Sequence, residues 1–249
     1  MKRAALAALL LLGCREDPKW ATAAAGVAGD PTVAGEPAAV PRIAGPTLDG
    51  KLDDWGNAAT LGPLVDPGDG AAAPGSPVAG FARVGWNDTH LFVGMLVRDD
   101  DPTSPNARDA VDPHIWATAS GVEVMLQPGD PGDNRDYLEI QVDVAGAVWD
   151  TRFDDYNRPI TGEGAERRYG HQDWKSGLER AVHVEKGRFW SVEMALPWSA
   201  VGRTPKPGEV WRLNLYTFRD GQRAALAWSP LRGQGNFHKA SRWGRVRFQ

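Results

Sequence analysis

The sequence predicts an all-β protein, an antiparallel β-sandwich of jelly-roll type with roughly ten short strands and long loops. Three observations predict it. Short runs rich in Val, Leu, Ile, Phe and Trp recur from residue 81 to residue 248, several with apolar–polar alternation. Clusters of Gly, Pro, Asp and Asn separate them, drawn from 29 Gly and 19 Pro. Apolar residues almost nowhere recur at the helical spacing of about 3.6, so no long helix competes with the strands.

In chain order, residues 48–52 (LDGKL) read as a short strand or turn, and Asp53-Asp54-Trp55 as one helical turn with Asp53 at its N-cap. After a Gly/Pro/Asp/Ala loop over 63–77, FARVGW (81–86) and HLFVGMLVRD (90–99) form a hairpin around Asn87-Asp88-Thr89. The second run is apolar at Leu91, Phe92, Val93, Met95, Leu96 and Val97, the pattern of a central strand covered on both faces. GVEVMLQ (121–127), YLEIQVDV (137–144) and AVWDTRF (147–153) follow. In the middle run Leu138, Ile140 and Val142 face a core, while Glu139, Gln141 and Asp143 face water. LERAVHVE (178–185) and GRFWSVEMALP (187–197) make another hairpin, and residues 198–201 one helical turn. WRLNLYTFRD (211–220), AALAWSP (224–230) and RWGRVRF (242–248) complete the set.

A hydrophobic fraction of 42% supports one core, hence one domain plus a tail. A net charge of -4 provides no basic field for phosphate backbones, which excludes a nucleic-acid partner of the usual kind. At the N-terminus Lys2 and Arg3 precede an apolar run over 4–12, too short to span a bilayer, and Gly13 then precedes the single cysteine, Cys14. The order Leu11-Leu12-Gly13-Cys14 resembles a bacterial lipoprotein signal; an ordinary helical start of a cytosolic protein is the alternative. The resemblance implies a signal peptide over 1–13 and lipidation of Cys14. It also implies an extracytoplasmic protein anchored to a bacterial membrane, at the outer membrane or cell surface. Residues 14–44, rich in Ala, Gly and Pro, read as a flexible tether, and the folded domain as 45–249.

Two irregular stretches carry functional residue types. Residues 99–119 are acidic and lack any period, and Asp99, Asp101 and Asp112 are hard oxygen donors suited to calcium, unless the run is only a solvated charged face. The loop before the last strand presents Phe237 and His238 among Gly, Ser and Asn, either as ligand contacts or as loop anchors. Among 11 Trp, residues 86, 190, 198, 211, 228 and 243 occupy framework positions, whereas Trp149 and Trp174 fit either role.

The ordered motifs LDGKLDDW, RVGWNDTHLFVGMLVRDDD, GVEVMLQ, YLEIQVD, FWSVEMALPWSAVG, GEVWRLNLYTFRD and FHKASRWGRVRF resemble a family 9 carbohydrate-binding module. The resemblance implies a sandwich that holds an oligo- or polysaccharide between two aromatic side chains without catalysis, with calcium bound in its loops. Carried over by position, the aromatics fall on Trp116 and Phe237. The hydroxyl-bonding strand face falls on Glu139 and Gln141, with Asn214 as a further candidate. Trp116 could instead plug the sandwich rim, and the three polar residues could be solvated strand positions. Two other readings stay open. One is a haem-binding relative using a Met with His114, His238 or Lys239. The other is an interaction subunit of an envelope complex; a glycoside-hydrolase partner is equally compatible. No G-x-S-x-G or identifiable acid–nucleophile spacing points to an enzyme.

Overall fold

The computed structural model describes residues 35–162, 167–221 and 223–249. Cys14, the signal-like segment over 1–13 and the tether up to residue 34 lie outside the described residues. Among the described residues, twelve strands form two sheets. The first sheet runs β1 (Ala38–Val40), β12 (Gly244–Phe248), β10 (Val210–Arg219), β5 (Gly121–Gln127), β6 (Arg135–Asp143) and β7 (Val148–Asp155), with β11 (Ala224–Ala227) also on β10. The second runs β2 (Ala59–Leu61), β3 (Ala79–Trp86), β4 (His90–Arg98), β9 (Phe189–Pro197) and β8 (Glu179–Glu185). Among the named strands of the described residues, β1 and β12 pair in parallel and the other pairs are antiparallel. The expected β-sandwich is the fold observed.

Alternation explains the core. Leu91, Val93, Met95 and Val97 of β4 point inward, towards Val122, Val124 and Leu126 of β5 and Leu138, Ile140 and Val142 of β6. Burying each such side chain contributes about 1.5–3 kcal/mol. At one end Trp86, Trp198, Trp211 and Phe248 meet edge to face, with ring centroids 5.1 to 6.5 Å apart. The six framework tryptophans are all buried.

Strand β4 is central and covered on both faces, as its unbroken apolar run requires. Its outer residues Phe92 and Leu96 pack on Leu52 and Trp55 from the LDGKLDDW segment. Gly94 makes room for them, since a Cβ there would lie 2.6 Å from Leu52 and 2.7 Å from Trp55. The helical turn expected at Asp53 is instead a pair of turns. Asp53 therefore caps no helix, and its neighbour Asp54 accepts a hydrogen bond from the Thr47 amide at 2.9 Å, tying the segment to itself.

Two short edge strands, β1 and β2, carry no sequence signal. β1 lies inside the expected tether, so the folded part reaches back to Ala38 rather than residue 45. Ala-Ala-Val has too little side-chain pattern to announce a strand; backbone pairing with β12 makes it one.

Candidate functional site

The outer face of the first sheet forms the floor of a cleft of about 480 Å³. Register fixes the floor. Gln141 on β6 stands between Glu123 on β5 and Trp149 on β7, and Glu139 stands between Met125 and Thr151 in the next row. Trp116 rises on one side, from the single helical turn Ile115–Thr118, with its ring edge-on to Trp149 at 4.6 Å. Phe237, Asn236 and His238 close another side, and Tyr156, Arg168 and Tyr169 enter from the β7–β8 connection. Trp116 and Phe237 are each half-buried, as walls of a cleft would be.

Each wall is braced. The Phe237 ring stacks on Tyr216 at 3.9 Å and 7°, and its carbonyl accepts a hydrogen bond from Trp243 Nε1 at 2.7 Å. The His238 ring stacks on Tyr156 at 3.9 Å and 9°, while its Nδ1 shares a 2.7 Å hydrogen bond with the Tyr137 hydroxyl. Asn236 donates to the Tyr156 hydroxyl at 3.2 Å. Such braced aromatics lose little freedom when a ligand packs on them.

The floor is buried and polar, where the sequence suggested a strand face open to water. Glu123, Gln141 and Thr151 are each 1% exposed and Glu139 4%. Gln141 Nε2 donates to both carboxylates, to Glu139 Oε1 at 2.7 Å and to Glu123 Oε2 at 2.9 Å. Four floor atoms have no hydrogen-bond partner: Glu123 Oε1, Glu139 Oε2, Gln141 Oε1 and Thr151 Oγ1. Burial, with the neighbouring Glu139 charge adding to it, pushes the Glu123 carboxyl well above the usual range. Burial likewise pushes Glu139 up to about 8, against the opposing Gln141 hydrogen bond. Burial lowers His238 to about 3, so its imidazole is neutral at pH 7, with Nε2 3.7 Å from Glu139 Oε2.

Of the five residues carried over from the family resemblance, the cleft brings together Trp116, Phe237, Glu139 and Gln141. Asn214 is placed elsewhere. It is fully buried, donates to the Ser229 carbonyl at 2.9 Å and accepts from the Ser229 and Leu215 amides, so it pins the chain after β11. Sequence reasoning missed Glu123, Thr151, Phe153, Tyr156 and Tyr169 and left Trp149 undecided. The readable signal for Glu123, Trp149 and Thr151 was antiparallel register, which places them beside Gln141 and Glu139 once the three strands are adjacent.

The acidic residues considered for calcium do not converge. Asp99 Oδ1 and Asp101 Oδ2 lie 3.4 and 3.5 Å from the Arg219 guanidinium, whereas Asp112 pairs with Lys175. Among the described residues, no group of three or more His, Cys, Asp or Glu is arranged to hold a metal ion. A calcium ion shared by these three carboxylates would have to displace Arg219 and Lys175. Adding calcium and then a chelator tests the loop as a calcium site: a bound ion is expected to raise the thermal midpoint reversibly by more than about 2 °C, the shift that 1 kcal/mol produces. Of the methionines considered for haem, Met95 and Met194 lie in the inter-sheet core, whereas Met125 is fully buried beside Tyr137, Phe153 and Tyr216 under the cleft.

Comparison with known proteins agrees with this fold. The family model described as carbohydrate family 9 binding domain-like matches residues 48–249. Among solved structures, a putative carbohydrate-binding protein from Bacteroides uniformis is similar at a TM-score of 0.62 and 16% identity, covering 86% of this chain and 100% of that one. A family 9 carbohydrate-binding module from Caldicellulosiruptor kristjanssonii, in complex with cellotriose, gives a TM-score of 0.58 at 16% identity over 85% of this chain and 93% of that one. The glucose complex of such a module from the same organism gives 0.57 at 16% identity, over 85% and 94%. No curated protein matches.

Proposed function

The chain belongs to the carbohydrate family 9 binding domain-like family, and from that premise we propose that its cleft binds carbohydrate without turning it over. The observation that carries the reading is the set of four unpartnered, buried polar atoms on the floor beneath aromatic walls. A buried polar atom without a partner costs about 1–3 kcal/mol, so such a cluster is best explained by a polar ligand that completes it. Sugars suit both parts: their C–H faces pack on the negative faces of aromatic rings, and their hydroxyls serve acceptors and donors below. The cellotriose and glucose complexes of the Caldicellulosiruptor modules support the class of ligand.

Turnover is not part of this reading. Glycoside hydrolysis needs two carboxyl groups flanking the scissile bond, whereas Glu123 and Glu139 sit side by side on neighbouring strands and share one amide. The proposal extends to a lipid anchor at Cys14 holding the domain outside a bacterial cytoplasmic compartment, supported by the charged start and apolar run before it. Titration calorimetry with neutral oligosaccharides tests the binding. Trp116→Ala is expected to weaken it by about 1–3 kcal/mol, the scale of alanine truncations of stacking aromatics. Unchanged affinity in a folded variant would remove Trp116 from the site.

A further inference from the structure

We propose that the floor of the cleft seats a primary ammonium group, so that its ligand is an amino sugar carrying an unacetylated amine. This rests on the carbohydrate reading and sharpens its substrate class. With both carboxyls ionised, the unpartnered atoms are acceptors almost to the last: Glu123 Oε1, Glu139 Oε2 and Gln141 Oε1, with only Thr151 Oγ1 able to act either way. An ammonium brings three N–H donors and one positive charge, and a neutral hydroxyl brings one donor and none. Gln141 Nε2 reaches both carboxylates, which keeps the two Glu within one ligand group's span.

Charge around the floor fits the same group. Facing it are Glu123, Glu139, the hydroxyls of Tyr137 and Tyr156, and a His238 that burial keeps neutral. The basic side chains that line the cleft, Arg167 and Arg168, are exposed, whereas the two acids are buried. The walls are Trp116, Trp149, Phe153, Tyr156 and Phe237, whose ring faces attract a cation. A buried carboxylate pair without a countercharge favours a bound proton when the cleft is empty. A cationic ligand removes that preference, so its binding releases a proton and a neutral sugar's does not.

Calorimetry of the full chain at pH 6–7, where an amine remains largely protonated, tests this with three probes. They are an unacetylated glucosamine trimer, the N-acetylated trimer and cellotriose. The unacetylated trimer is expected to bind at least about tenfold more tightly than either neutral probe, the ratio expected of a desolvated charge pair, and to release protons, seen as a heat that changes with the buffer. Glu123→Gln and Glu139→Gln, which keep side-chain volume, are expected each to lower the ratio of unacetylated-trimer to neutral-probe affinity at least about tenfold and to remove the buffer-dependent heat; an unchanged ratio in folded variants overturns the seat. Equal or tighter binding of cellotriose overturns the ammonium seat and leaves the carbohydrate reading standing. Silence with all three probes overturns both. If a variant fails to fold, the three-probe comparison in the unaltered chain still decides.

Discussion

Replacing Glu193 by alanine is expected to destabilise the protein by about 3–5 kcal/mol, the cost of stripping a buried charged acceptor from several donors at once. Glu193 lies on the outer face of the second sheet with no solvent exposure. Its Oε2 accepts from the Asp49 and Gly50 amides at 2.7 and 2.6 Å, and its Oε1 from Trp55 Nε1 at 2.8 Å. Those donors belong to the segment that covers β4, so losing the carboxylate also loosens the Trp55 and Leu52 contacts. Gly50 cannot be varied to compensate, because its φ is +85° and a Cβ would meet the His183 amide at 2.6 Å. Glu193→Gln keeps one acceptor but turns an NH₂ towards other donors, and should fall between alanine and the native protein. Urea unfolding followed by Trp fluorescence reads the loss as a lower midpoint at constant slope. Ligand affinity measured on the folded fraction should not change, because the cleft lies on the other sheet. A loss below about 1 kcal/mol, the net worth of an ordinary hydrogen bond, would mean that the segment holds by packing alone.

That segment also marks where the sequence was readable. LDGKLDDW was recognisable as a motif, but its purpose was not, because the acceptor is Glu193 on β9. Strands with alternating or continuous apolar patterns were legible because side-chain direction repeats every second residue. β1 was not, because three small residues owe their strand to a partner at the far end of the chain. The site divides the same way. Trp116, Phe237, Glu139 and Gln141 followed from motif order, whereas Glu123 and Thr151 became visible only with the register of β5, β6 and β7. Asn214 shares the floor's face and polarity, yet Ser229 takes its hydrogen-bonding groups, a pairing that no local pattern announces.

The second large effect is a loss of stability as pH rises, traced to the floor acids. Glu139 is raised to about 8 in the folded protein from an ordinary value of 4.5, so between these limits the folded state binds a proton that the unfolded chain has released. Stability then falls with rising pH: the contribution is fully present below about pH 4.5, shrinks across the window and is gone above about pH 8. Glu123, also raised, acts in the same direction. At about 1.4 kcal/mol for a tenfold change in proton affinity, Glu139 alone contributes on the order of 3–5 kcal/mol across the window. Glu139→Gln removes the titration. It is expected to be more stable than the native protein at pH 8, by about 2–4 kcal/mol, and close to it at pH 4.5. Denaturation curves at intervals from pH 4.5 to 8.5 measure the slope, and the variant's curve should be the flatter. If both proteins show the same slope, the carboxyl is ionised in the empty cleft at neutral pH. The charge would then be held by polar groups or solvent in the cleft, and the floor would not be the low-dielectric surface that its burial implies.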